Sequence, residues 1–327
     1  MSGARIGRLL RRWWRALLPA LVWFAAPAGQ AQTASAACPP VAQVPSAEQI
    51  QAGARQARDR GFLWRLRKNG HTSYLYGTVH IAKADWLFAG PAVSAALRAS
   101  DTVALELDLL DPEILERLHA GMAPQPEHPL PAPLAQRLRA ALKAACLPEQ
   151  MLATMAPEMV ATTLTVMAAR AQGLDPSYAV DVVLAGAAHA LHKPVASLET
   201  PEQQLALLLG RSEEETRAFV EQSLAELDSG HAVPMLVRIA QVWADGRLDE
   251  LEHYADWCDC LNTADERAMH RRLLDDRNPG LADRIDALHR GGKQVFAAVG
   301  SLHMIGPLGL PALLAQRGYQ VERVSLK

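Results

Sequence analysis

Long hydrophobic runs are missing from this 327-residue chain: nowhere does it reach the ~18 consecutive apolar residues of a membrane span, which excludes a multi-spanning membrane protein. Aromatic residues are scarce at 5 %, while alanine and leucine abound and point to a helix-rich interior. There is no glycine-rich phosphate loop, no Gly-x-Ser-x-Gly elbow and no His-Glu-x-x-His pair, which disfavours NTPases, elbow-type serine hydrolases and ordinary zincins. An excess of positive charge is missing as well. The net charge is −2, and because five arginines and no acid stand in the first 31 residues, the remainder carries −7. A mildly acidic body argues against nucleic acid as the main partner. What is there is a half-hydrophobic composition in a chain long enough to bury a large core.

The start of the chain reads as an address. Arg5, Arg8, Arg11, Arg12 and Arg15 precede an apolar run from Ala16 to Ala28 and the small residues of Gly29-Gln30-Ala31, the layout of a secretory signal peptide over residues 1–31. A mature chain beginning near Gln32, with a lead-in over 32–60, is expected in the periplasm or outside the cell. Two other readings stand beside it: a twin-arginine signal at Arg11-Arg12, and a lipoprotein-like box, Ser35-Ala36-Ala37-Cys38, that would anchor Cys38 to lipid. Export makes the four cysteines read as two disulfides. Cys258 and Cys260 are two apart, so each is expected to reach back to one of Cys38 and Cys146. A metal cluster of Cys258, Cys260 and His253 is the alternative, at a spacing that fits no standard zinc site.

Phe62 to Arg67 alternates in polarity, Asn69-Gly70 follows and Thr72 to Thr78 is β-prone, which spells a hairpin. Thr102 to Asp108, Val195 to Glu199, Gln294 to Gly300 and Tyr319 to Val324 are further strand-like runs. Helical periodicity covers Pro157 to Gln172, Tyr178 to His192, Glu213 to Asp228, Pro234 to Asp245 and Thr263 to His289. Asp111-Pro112 and Gly121 bracket another helix, and capping boxes begin at Thr200 and Ser212. The expected fold is α/β (α+β), with a mainly parallel central sheet in one domain over 61–327. A large helical insertion occupies about 111–290, and the strand carboxyl ends form the site.

Those ends carry the chemistry. One strand runs into Gly77-Thr78-Val79-His80 and another into Gly300-Ser301-Leu302-His303, so a Gly-x-x-His device occurs twice. The strand from Thr102 reaches Glu106, and the one from Val195 ends at Glu199. Ligands of open α/β sheets bind beyond strand carboxyl ends, and glycine lets the backbone turn sharply there. Burying Glu106 and Glu199 in such apolar runs would cost several kcal/mol unless each is paired or metal-bound.

The stretch from Phe62 to Ile81, the run Ala-Leu-Glu-Leu-Asp, the segment from Ala179 to Thr200, Asp276-Arg277-Asn278 and the ending from Val295 to Val324 resemble the TraB/GumN family, which includes the Tiki metalloproteases. The resemblance implies an exported, divalent-metal-dependent hydrolase, a peptidase first of all, with His80, His303 and Glu106 at its centre. Asp181, Glu199, Arg277 and Asn278 fall in matching stretches. The segment Trp257-Cys258-Asp259-Cys260 lies outside the family core.

In that frame His80 and His303 suit Mn²⁺, Co²⁺ or Zn²⁺, and the oxygens of Glu106, Glu199 and Asp181 lean away from a thiolate-type zinc site. Bound metal would lower the pKa of water toward ~7, leaving Glu106 as ligand or general base. Arg277 either holds a developing oxyanion or substrate carboxylate, or orients Glu199. Asp181 is a buried site carboxylate or the polar edge of its helix. His189 and His192 read as a solvated face, His71, His253 and His289 as surface, and Trp86, Trp243 and Trp257 as core. Two alternatives accompany the metal hydrolase, both acting on a peptide or small-molecule ligand. One is a metal-free hydrolase of erythromycin-esterase-like type, with His80 or His303 as base. The other is a peptide- or pheromone-binding protein without turnover.

Overall fold

Alternation in Phe62-Leu63-Trp64-Arg65-Leu66 builds β1 (Phe62–Lys68), and Asn69 and Gly70, both at positive φ, return it antiparallel as β2 (His71–Thr78). The computed structural model describes residues 38–326. Within them the hairpin joins β3 (Thr102–Leu105), β4 (Val195–Ser197), β5 (Val295–Gly300) and β6 (Gln320–Val324) in one six-stranded sheet of order β4-β3-β5-β2-β1-β6. The four strands β4, β3, β5 and β2 are parallel, and β1 is antiparallel to both β2 and β6. The mixed α/β fold with a mainly parallel sheet is the one expected. Every residue of β3 and β5 is buried, as continuous apolar strands in a covered parallel sheet must be.

Register aligns the strand ends. Thr78 pairs with Gly300, and Leu105 pairs with both Ala298 and Ser197. The residues that follow, at 80, 106, 199 and 303, therefore leave four neighbouring strands at one edge. Helices Ala132–Ala144, Pro157–Met167 and Glu213–Ser229 close a second core around Leu138, Leu142, Val160 and Val220.

The helix signals hold at Asp111, which accepts from the Glu113 and Ile114 amides ahead of Pro112–Gly121, and at Thr200, whose capping box with Gln203 is reciprocal. Ser212 forms half a box: its hydroxyl accepts from the Glu215 amide, but the Glu215 carboxylate takes the Arg211 N–H instead. The periodic stretch from Thr263 to His289 is two helices, Ala264–Leu273 and Asn278–Arg290. Pro279 has no N–H to bond back to the Asp275 carbonyl and its ring crowds it, so the ladder stops and restarts. The break carries Arg277.

Three expectations need correction. The cysteines pair Cys38–Cys146 and Cys258–Cys260, not near with distant. Asp259 takes the left-handed backbone, φ 48°, and brings its neighbours' Cα atoms to 5.1 Å, inside the range a disulfide spans. His289 is buried rather than on the surface: its Nε2–H donates to the Lys68 carbonyl at 3.1 Å and its Nδ1 accepts from the Ser73 hydroxyl at 2.8 Å, clamping the hairpin to the last long helix. His189 is not simply solvated, since its Nε2 lies 2.8 Å from buried Asp108. Trp86 and Trp243 are buried and Trp257 half-buried. The signal-peptide reading of residues 1–31 lies outside the described residues. Among the described residues no helix is long and apolar enough to cross a membrane.

Candidate functional site

The two Gly-x-x-His turns are fastened to each other. The Ser301 hydroxyl donates to the Thr78 carbonyl at 2.8 Å, and a β-carbon on Gly77 would stand 3.0 Å from the Ser301 Oγ. On Gly300 a β-carbon would lie 3.3 Å from Glu106 Oε1, 3.4 Å from His80 Nε2 and 3.6 Å from the His303 ring. Glycine at 300 lets three functional side chains close in around one backbone atom, where a β-carbon would touch all of them. His80, Glu106 and His303 therefore meet around Gly300, whose N–H donates to Glu106 Oε1 at 2.8 Å.

Arg277 fills the middle of this set. Its guanidinium has five N–H donors in a fixed fork, and five acceptors meet them. Nε donates to Glu199 Oε1 at 2.9 Å, while one terminal nitrogen donates to the Leu273 carbonyl at 2.9 Å and to His303 Nε2 at 3.1 Å. The other donates to Glu106 Oε2 at 2.6 Å and to Glu199 Oε2. Arg277 thus bonds both glutamates at once. Gln204 adds Nε2 donations to Glu199 at 3.0 Å and Glu106 at 3.3 Å. Sequence reasoning missed Gln204; its one signal is that it follows Glu199 by a turn within a capped helix.

The His303 tautomer follows from its neighbours. Asn278 Nδ2 donates to the Leu308 carbonyl at 2.8 Å, which turns Asn278 Oδ1 toward His303 Nδ1 at 2.6 Å. Nδ1 must then carry the proton, leaving an Nε2 lone pair for Arg277. Burial first, and then Arg277, hold the His303 pKa down to about 4, so it is neutral at pH 7. Burial disfavours the Glu106 charge, but the surrounding imidazoles, Arg277 and the Gly300 N–H outweigh it and lower Glu106 to about 2. A carboxylate held that low is a poor general base near neutral pH. Arg277 itself is raised further, with its carboxylate partners outweighing burial.

His80 stands apart. Its side chain is 60 % exposed, and Nδ1 lies 3.4 Å from Asp181 Oδ2 on helix Val180–Ala190. Partial desolvation on the side facing the strand ends opposes its charge, yet Asp181 and Glu106 raise its pKa to about 9. Asp181 Oδ1 is buried with no hydrogen-bond partner among the described residues. The site's spare capacity thus sits at His80 and Asp181.

These shifts fix the sign of the pH dependence of stability. The lowered His303 contributes stability that is present above its ordinary 6.5 and lost as pH falls to about 4; lowered Glu106 contributes above 4.5 and is lost toward about 2. Raised His80 contributes below 6.5 and is lost as pH rises through about 9, weakly because solvent screens it. Thermal melts from pH 2 to 10 should show the midpoint falling as pH drops from 6.5 to 4 and again toward 2, and falling only slightly as pH rises from 6.5 to about 9. A flat profile between 6.5 and 4 would contradict the buried neutral His303.

A sequence model of the TraB/PrgY/gumN family matches residues 62–323, from the first residue of β1 almost to the end of β6. The chain belongs to this family. No curated protein and no solved structure matches the chain. The stretch shared with the TraB/PrgY/gumN family contains every strand end that supplies the site, and the Arg277 break as well.

The metal expected from sequence can be weighed against these contacts. Among the described residues no three His, Cys, Asp or Glu side chains are grouped to hold an ion. The acceptor atoms that would ligate one, on Glu106, Glu199 and His303, are taken up by Arg277. With the guanidinium in place, Glu106, Glu199 and His303 do not fit a cation.

Proposed function

We propose that this TraB/PrgY/gumN member is a hydrolase acting on a carbonyl group of a peptide or small-molecule substrate, with His80 as the proton-transfer residue and Asp181 setting its orientation. The observation that carries this reading is the contrast between the two motif histidines. Both nitrogens of His303 are engaged, to Asn278 and Arg277, whereas His80 Nε2 makes no hydrogen bond among the described residues and its ring opens to the cleft. An imidazole backed by a carboxylate on Nδ1, with Nε2 free, is the arrangement that takes a proton from water. Water attacks the carbonyl carbon as His80 Nε2 accepts its proton; the same nitrogen then returns that proton to the leaving amine or alkoxide. Glu106, Glu199 and Arg277 form a fixed, hydrogen-bonded cluster of net charge −1 beside His80.

Incubation of the full chain with a mixed peptide library, read by mass spectrometry before and after a chelator, tests the reading. Turnover that survives chelation is expected. Turnover lost to the chelator and restored by Mn²⁺, Co²⁺ or Zn²⁺ would instead make the chain a metal-dependent peptidase, with Arg277 displaced on loading. Retention of peptides with no cleavage would favour a sequestering protein. Export and a periplasmic place of action form part of the proposal, supported by the arginine-rich start and by two disulfides.

A further inference from the structure

The two disulfides differ in what they can do for the fold. Cys38–Cys146 closes 108 residues and ties the chain's described start to the helical region, so it removes much freedom from the unfolded chain. Cys258–Cys260 closes a loop of separation 2 and removes very little. Against that small gain, Asp259 between the sulfurs is held at φ 48°, a left-handed conformation that a non-glycine residue adopts at a cost. The second bridge is therefore no staple.

Its surroundings suit exchange. Cys258 is buried, whereas Cys260 is half-buried and next to exposed Asp259. Each sulfur already faces a donor: the Cys260 amide N–H points to Cys258 Sγ at 3.2 Å, and the Tyr254 hydroxyl donates to Cys260 Sγ at 3.3 Å. Donors at both sulfurs stabilise a thiolate on either one, which makes either a better leaving group. Tyr254 is itself fixed by edge contact with Trp257, 5.0 Å between centroids, and by stacking on His270. We propose that Cys258-Asp259-Cys260 is a thiol–disulfide exchange site, reacting with thiols of small molecules or of other proteins and separate from the His80 cleft.

The reaction balances with two thiols as the reductant. An incoming thiolate attacks the accessible Cys260 Sγ, forming a mixed disulfide and breaking the Cys258–Cys260 bond; the electron pair goes to Cys258 Sγ, which then takes up a proton. A second thiolate attacks the incoming sulfur of the mixed disulfide, releasing the oxidised disulfide and leaving Cys260 as thiolate, then thiol. Two thiols are oxidised and one protein disulfide is reduced. Opening the bridge also frees Asp259 from its left-handed backbone.

Treating the full chain with dithiothreitol in native buffer, quenching with iodoacetamide at intervals and mapping the labelled cysteines tests this. Cys258 and Cys260 should be alkylated at least tenfold faster than Cys38 and Cys146, with no change in the circular dichroism spectrum. Equal rates for the two bridges, resistance of Cys258–Cys260 until denaturant is added, or labelling without reductant would each overturn the proposal. A pair of variants checks direction. With oxidised glutathione, Cys258→Ser should form a one-to-one mixed disulfide at Cys260, and Cys260→Ser should form none at buried Cys258. The reverse pattern would place the attack on the wrong sulfur.

Discussion

His80→Ala should lower kcat/KM by roughly 10²–10⁴-fold, the usual worth of a positioned general base, while leaving the melting temperature nearly unchanged. The fold is indifferent because the side chain is 60 % exposed and its one charged neighbour within 4 Å is Asp181, itself at the cleft. Surface truncations of that kind stay within about ±0.5 kcal/mol. The pH profile is the sharper readout. With the His80 pKa raised to about 9, the base form is a minor species at neutral pH. The wild-type rate should therefore climb with pH, approaching tenfold per unit, until it levels near 9. Asp181→Asn removes the anion that holds the imidazole charged, so the pKa falls toward its ordinary 6.5, and the plateau should begin at lower pH. A rate that declines through pH 9 in the wild type would mean that His80 acts as an acid, and the proposed direction of proton transfer would be reversed.

How much of this could be read beforehand differs from residue to residue. The strand ends were legible because parallel strands must be apolar on both faces, and Gly-x-x-His marks where such a run stops. His80, Glu106, Glu199 and His303 then follow from counting along strands. Arg277 was visible as a candidate, with orienting Glu199 one of its two readings, but its bonds to Glu106, His303 and Leu273 were not. Its five bonds join positions 26 to 171 residues away along the chain to the local Leu273 carbonyl, and helical periodicity ran through its position without a break. Pro279 was the clue to that break. The Cys258–Cys260 bridge was missed because two-residue spacing reads as too short until Asp259 is allowed a left-handed backbone. Single histidines give no signal of burial, and His289 depends on Ser73, 216 positions away.

Arg277→Met should cost roughly 3–5 kcal/mol of stability at pH 7, the range for removing one partner of a buried ion pair. Methionine matches much of the arginine stem, so a cavity is not the main loss; what changes is that Glu106 and Glu199, 12 % and 9 % exposed, lose the guanidinium that bonds both and keep only Gln204, the Gly300 amide and the two motif imidazoles nearby. Arg277→Lys restores the charge but not the fork, and a single ammonium cannot satisfy Nε and terminal-nitrogen contacts to two carboxylates together, so it should fall between the wild type and methionine. Acidification separates this electrostatic account from simple packing loss. In the wild type the lowered Glu106 makes acid destabilising, with stability lost as pH falls from 4.5 toward about 2. Without Arg277, burial is still opposed by His303, His80 and the Gly300 amide, but one of the lowering influences is gone, so Glu106 titrates higher than in the wild type and loses less stability on acidification. Urea denaturation at pH 7 and near pH 3 should therefore show the gap between wild type and Arg277→Met narrowing at the lower pH. Adding Glu106→Gln and Glu199→Gln to Arg277→Met should recover much of the loss at pH 7, since two neutral amides need no counter-charge. A gap that stays constant with pH, and is not relieved by the two amides, would show that Arg277 supports the fold through packing and not as the cation that holds the two glutamates.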